Sequence, residues 1–284
     1  MVPGHTTRAS ADSPFVRRIL VAVLAVAAVV ALACRDPHLD ELHPEPTPST
    51  APSPSPSAAP SSSPSSSAAR SPSAALPDVD AGTVFVERYA NEDAYFVRGS
   101  RATSQAILFG GQCAQSQFYV EAIKAAAARH TQLVALQGDA PCVGAFRGWS
   151  FDLPALSRRI ERTFDALGLG APHDVILIGY SQGALVAERL AIREPTKFTR
   201  LVLMASPSPL VPEHFSKASA VVTMAGTLDR QDLMARGATA LARAGIRARY
   251  VPLPGAAHGY MGTDPEGTFE DVFTWLEEPT DAGR

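Results

Sequence analysis

From residue 105 onward, short apolar runs alternate with longer stretches in which apolar positions recur every three or four residues. Gln105–Phe109, Leu133–Leu136, Asp174–Ile178, Thr199–Met204 and Ala220–Met224 are four to six residues long and rich in Val, Ile and Leu, and the more mixed Arg247–Val251 follows as the last strand. Runs of that length and composition predict strands buried on both faces. Between them, Gln117–Arg129, Leu153–Leu167, Ala184–Leu190, Gln231–Ala244 and Glu266–Glu277 carry the helical period, and Gly168 and Gly245 stand where two of these helices should stop. Thr83–Arg88 and Ala94–Arg98 read as a leading pair of strands turned at Asn91-Glu92-Asp93. Strands separated by helices pair in parallel through crossovers, so residues 79–279 are expected to form one α/β domain with a mostly parallel central sheet flanked by helices.

The first 78 residues follow another pattern. Arg17-Arg18 precedes fifteen consecutive apolar residues, Ile19–Ala33, and then Cys34. A basic pair, an apolar run and small residues before a possible cleavage point make residues 1–34 an export signal. The run falls short of the about 20 residues that a spanning helix needs. Ala31-Leu32-Ala33-Cys34 resembles a bacterial lipobox, with its leucine two residues before the cysteine instead of the usual three. Lipidation of Cys34, an uncleaved membrane anchor and simple secretion all remain open. Residues 35–78 form a linker. Within 44–77, 10 of 34 residues are Pro, 12 Ser and 7 Ala, and Leu76 is the one large apolar side chain. Such a stretch cannot bury enough apolar surface to offset the entropy of ordering, and its prolines favour an extended, semi-stiff spacer. A disordered tail is expected over 280–284.

Charge narrows the choice of partner. The formal net charge is −3, with no basic stripe or tail, which argues against nucleic acid. A small-molecule or polymer-attached substrate is the default partner, and the oligomeric state is not legible. The three cysteines, Cys34, Cys113 and Cys142, form no C-x-x-C and no Cys/His cluster, so no metal site is expected.

The chemistry concentrates in Val175–Gly183, VILIGYSQG. A buried strand, a G-x-S-x-G turn and a helix in direct succession are the context of a nucleophile elbow. Ser181 is the candidate nucleophile. Its hydroxyl needs a neighbouring base. The backbone N–H of Gln182, in the first helical turn, is a candidate oxyanion donor. The candidate base is His258, in the loop after the last predicted strand. His130 and His173 precede strands and fall at the opposite sheet edge, and His214 reads as a substrate-pocket residue. Asp229, in the loop after Ala220–Met224, is the candidate acid that orients His258. Asp232 suits the start of the following helix instead.

The order Ser181, Asp229, His258 and the G-x-S-x-G elbow resemble the α/β-hydrolase superfamily, over about residues 83–276. Gly179–Ala184 is also similar to the elbow of cutinases and small carboxylesterases and thioesterases, although the 29 residues from Asp229 to His258 exceed the usual cutinase spacing. The resemblance implies an α/β-hydrolase fold, a second oxyanion donor from Gly111 or Gln112 after the Gln105–Phe109 strand, and no cofactor. In such a fold the loops bearing Cys113 and Cys142 follow neighbouring parallel strands. They would carry either a disulfide, suited to an exported domain, or two buried thiols. Trp149, Phe146 and Phe151 either wall an acyl pocket or pack their loop onto the domain. The 15 residues between Met204 and Ala220 leave no room for a lid subdomain, so an open site with a minimal lid is expected. The expected activity is ester hydrolysis through a Ser-His-Asp acyl-enzyme. Thioesterase, amidase or acyltransferase chemistry on the same fold, or a non-catalytic surface binding module, are the alternatives.

Overall fold

The computed structural model describes residues 84–89, 93–100 and 104–279. The segments expected to be an export signal, a linker and a tail, and Cys34 with them, lie outside the described residues. Strands β1 (Glu87–Tyr89), β2 (Ala94–Val97), β3 (Gln105–Phe109), β4 (Gln132–Leu136), β7 (Ile176–Tyr180), β8 (Arg200–Met204), β9 (Ala220–Gly226) and β10 (Ala248–Leu253) form the main sheet. Its order is β1-β2-β4-β3-β7-β8-β9-β10. β1 and β2 pair antiparallel with each other, and β2 with β4; from β4 to β10 every neighbour is parallel. Two further strands, β5 (Ala140–Pro141) and β6 (Arg147–Gly148), make a small hairpin inside the long loop after β4.

Successive residues of each strand feed opposite core layers, as the two-residue period requires. Ala106, Leu108, Ile176, Ile178, Val202 and Val222 face one layer. Helices α1 (Ser116–Ala122), α2 (Lys124–His130) and α6 (Pro265–Glu277) cover it. Ile107, Phe109, Leu177, Leu201, Leu203 and Val221 face the other. Helices α3 (Leu153–Ala166), α4 (Gln182–Arg193) and α5 (Asp232–Arg243) cover that one. Burial on both faces is why these strands read as continuous apolar runs.

Three differences from the expected elements have physical causes. β7 runs on to Tyr180, because Gly179 and Tyr180 still pair with Leu203 and Met204. β9 and β10 also extend, to Gly226 and Leu253, by pairing with each other. The single helix expected over 117–129 is two helices broken at Ile123, whose ψ is 14°. The break opens the first turn of α2, and the Glu266 carboxylate accepts from Ala125 and Ala126 N–H at 2.9 and 2.7 Å.

Helix α6 is tied to α2 at its other end as well. His130 is 1% exposed. Its Nε2 lies 2.9 Å from Glu270 and its Nδ1 lies 3.2 Å from Glu277, while Arg129 also bonds Glu270. The imidazole stacks on Phe273. Burial alone would push His130 down, but the Glu277 and Glu270 carboxylates outweigh it and raise the imidazole above the ordinary histidine value. Burial pulls the Glu270 carboxyl up, yet His130 and Arg129 hold it below the usual range. A raised folded value means that the His130 contribution is complete below the unfolded value of about 6.5 and fades as pH climbs through the folded one. The Glu270 contribution has the opposite sign and is lost in acid. His130→Gln is therefore expected to cost about 1–3 kcal/mol near pH 6 and clearly less near pH 9. Urea denaturation of both proteins across that range measures the difference, and a pH-independent penalty would contradict it.

Candidate active site

Sequence forces the turn after β7. Ser181 has φ 52° and ψ −115°, a sparsely populated conformation that reverses the chain from strand to helix within one residue. Its N–H donates to Met204 O at 2.8 Å, which keeps the turn seated on β8. The two motif glycines are steric requirements. A Cβ on Gly179 would lie 2.4 Å from Gly183 O, and one on Gly183 would lie 2.1 Å from Phe109 O. Helix α4 thus starts in contact with the end of β3. The Gln182 N–H stands in its first turn, where amides have no intrahelical acceptor.

Two loops at the same sheet edge complete the cluster. Asp229 follows β9 and His258 follows β10. His258 Nδ1 lies 2.7 Å from Asp229 Oδ2, and His258 Nε2 lies 3.1 Å from Ser181 Oγ. The second Asp229 oxygen accepts from Arg230 N–H at 2.7 Å. The carboxylate can only accept, so Nδ1 carries the proton and Nε2 is left free to accept from the serine. The imidazole side chain is 53% exposed, whereas Asp229 is 13% exposed. Asp232 pairs with Arg236 on the surface of α5.

The loop after β3 borders Ser181 from the other side. A Cβ on Gly111 would lie 3.5 Å from Ser181 Cβ and 3.4 Å from the Tyr119 hydroxyl. The Gly111 N–H interacts with that hydroxyl. Gln112, the other donor left open by the sequence, follows Gly111 in the same loop. Next to it, Cys113 is joined to Cys142 with the Cα atoms 5.5 Å apart. The bridge, reinforced by Ala114 and Arg147 pairing their backbones, fastens the β5–β6 hairpin to the loop after β3. Closing a loop of 29 residues stabilises by about 3–4 kcal/mol in the chain-entropy picture.

Of the two roles left open for Trp149, pocket wall or loop packing, its contacts favour packing. Trp149 is 5% exposed and belongs to the core layer under α3 and α4. Its indole N–H donates to Gly110 O at 2.8 Å, and its ring meets Phe109 edge-on. The Trp149 backbone N–H donates to the Gln182 side chain at 3.0 Å, which ties the hairpin to the elbow. Trp149 therefore packs its loop and is not an open wall. Phe151 packs under the Arg189 guanidinium and Phe146 is exposed. His214, in a 3-10 turn at Pro212–Phe215, pairs through Nδ1 with Glu188 at 2.6 Å, two helical turns beyond Ser181. The structure thus joins Ser181, His258, Asp229, Gln182, Gly111 and Gln112, and leaves Trp149 and His214 to the packing around them. Among the described residues, no three His, Cys, Asp or Glu side chains converge on a metal-sized site.

Tyr119 and Tyr180 escaped the sequence reading. They stack beneath the cluster with ring centroids 5.1 Å apart, and the Tyr180 hydroxyl accepts from Gly259 N–H at 2.7 Å. One signal was available: a phenol at the buried end of β7 must find a polar partner.

No protein-family model and no curated protein matches the chain. Solved structures do. TT1662 from Thermus thermophilus superposes with a TM-score of 0.51 at 18% identity, covering 70% of this chain and 99% of that one. An alpha/beta hydrolase fold protein from Chitinophaga pinensis gives 0.49 at 14%, covering 70% and 100%. A carboxylesterase from Mesorhizobium loti gives 0.48 at 18%, covering 68% and 99%. The sheet order, its parallel crossovers and the strand–elbow–helix unit are those of the α/β-hydrolase fold, as the resemblance implied.

The helix–strand contact at Gly183 yields a direct test. Gly183→Ala should destabilise the domain by at least about 2 kcal/mol, since the methyl group meets backbone and no flexible side chain. Chemical denaturation measures this, and an unchanged midpoint would mean that α4 can move away from β3 freely.

Proposed function

We propose that the domain is a serine hydrolase that cleaves carboxylic esters through an acyl-enzyme. The observation that carries this is the single line of contacts from Asp229 through both ring nitrogens of His258 to Ser181 Oγ, at 2.7 and 3.1 Å. His258 Nε2 takes the serine proton as Oγ attacks the carbonyl, and Asp229 holds the ring and stabilises the imidazolium. The tetrahedral oxyanion is met by the Gln182 N–H, aided by the positive end of α4, and by the N–H of Gly111 or Gln112. Collapse expels the alcohol with the proton returned by His258 Nε2. Water then repeats the sequence on the acyl-enzyme and regenerates Ser181. No metal or organic cofactor enters these steps.

Exposure around the cluster bears on the substrate. Leu228 is 72% and Tyr260 71% exposed, and they flank Asp229 and His258. Phe118, in the helix after the oxyanion-side loop, is exposed as well. Open access beside apolar side chains suits an accessible ester with an apolar acyl or alcohol part, whether small or polymer-attached. The Cys113–Cys142 bridge suits an oxidising compartment, in keeping with export to the cell envelope by the N-terminal segment.

A fluorophosphonate probe should label the wild-type chain once, and Ser181→Ala should abolish labelling. The same change should lower kcat/KM on p-nitrophenyl esters by at least about a thousandfold. Hydrolysis rates on matched esters, thioesters and amides test the leaving-group preference, with esters expected to be fastest. An unlabelled wild type, as a non-catalytic binding module would give, or undiminished labelling of Ser181→Ala, would overturn the proposal.

A further inference from the structure

Two hydroxyl groups lie under the reaction centre and take no part in the steps above. Tyr180 is 1% and Tyr119 6% exposed, and their rings stack 29° from parallel. Each phenol faces a backbone amide of a different loop. The Tyr180 hydroxyl accepts from Gly259 N–H at 2.7 Å, one residue past His258. The Tyr119 hydroxyl interacts with the N–H of Gly111, one residue before Gln112. The Tyr180 ring also meets the imidazole edge-on at 5.6 Å. Gly259 has φ 92° and its loop is exposed, so its own backbone gives it little restraint.

We propose that Tyr180 and Tyr119 are a positioning pair: Tyr180 fixes the His258 loop, Tyr119 fixes the oxyanion-side loop, and their stacking holds the two loops in register with each other. The proposal rests on the serine-hydrolase function above. Burial supports the acceptor role, since it raises the Tyr180 phenol to about 12 and also raises Tyr119, so both stay neutral in use. The groups facing His258 are Ser181, Asp229 and Tyr180, and of these three only Tyr180 bonds the loop backbone beside the imidazole, while Leu228 N–H and Thr227 Oγ1 hold the same loop earlier, at Ala256 and Gly255.

The experiment is fluorophosphonate inactivation kinetics on full-length wild type, Tyr180→Phe, Tyr119→Phe and the double variant, with thermal unfolding in parallel. Phenylalanine keeps the ring and removes the acceptor. Tyr180→Phe should lower the limiting inactivation rate about 3- to 10-fold, the scale of one neutral hydrogen bond, while apparent probe affinity changes less than about twofold. The midpoint of its pH–rate curve should move to lower pH, because a loosened His258–Asp229 contact stabilises the imidazolium less. Tyr119→Phe should lower the limiting rate without moving that midpoint. The double variant should lose less than the product of the two. A second measurement needs no variant: the Gly259 amide of the wild type should exchange slowly with solvent despite its exposed loop. Wild-type rates and pH curves in both Phe variants, or rapid exchange at Gly259, would overturn the positioning role. A wild type that does not react at all would instead overturn the hydrolase function.

Discussion

The contact between the first turn of α4 and the last residue of β3 is the constraint on which the site depends. Gly183 lies against the Phe109 carbonyl with no room for a side chain. That contact brings the amides of the elbow and those of the loop after β3 to one place. It also forces the chain through Ser181 at positive φ, since no wider turn would bring the helix so close to the sheet. Strain at Ser181 is held by three restraints: the Ser181 N–H on Met204, the Gly179–Gly183 approach and the burial of α4 along Ala184, Val186, Ala187 and Leu190. A loosely packed helix could not maintain it.

Parallel topology supplies the rest. In a parallel sheet every strand ends at the same edge, so loops distant in sequence converge there. β3, β7, β9 and β10 deliver Gln112, Ser181, Asp229 and His258 respectively. The extension of β9 and β10 to Gly226 and Leu253 adds two paired residues at that edge. There the chain folds back tightly, and a Cβ on Gly226 would lie 2.1 Å from Ala256 O. Asp229 and His258 therefore leave from strand ends already fixed to each other, which shortens the conformational search for their contact.

The central strands β3, β4, β7, β8 and β9 were legible because they are buried on both faces and read as nearly unbroken apolar runs; β3 was placed to the residue. The elbow was legible because steric demand leaves a glycine trace. Features that depend on contacts across the chain were not. The break at Ile123 carries no local signal, since its compensation is Glu266, more than 140 residues away. Trp149 was ambiguous because an indole suits a pocket wall or a packed loop equally well, and the Gly110 carbonyl that takes its N–H decides between them. His214 sits at the right sheet edge, but its partner Glu188 lies on a face of α4 that a linear reading does not assign.

These contacts divide the site into a rigid part and an open part. The loop after β3, the oxyanion side of the proposed mechanism, is held by a disulfide, a backbone bridge and the indole, all anchored in the hairpin after β4. The base side has no such hairpin. His258 is half exposed and its loop contains Gly255, Gly259 and Gly262 at positive φ. An oxyanion donor must be preorganised before charge develops, because reorganisation at that moment costs rate. In the proposed mechanism the base must move slightly, since it would exchange its proton first with the serine, then with the leaving alcohol, then with water. Rigid donors opposite a base on a glycine-rich loop meet both demands, provided that the loop is anchored at one point close to the imidazole. The 2.7 Å bond from Gly259 N–H to the Tyr180 hydroxyl lies at that point.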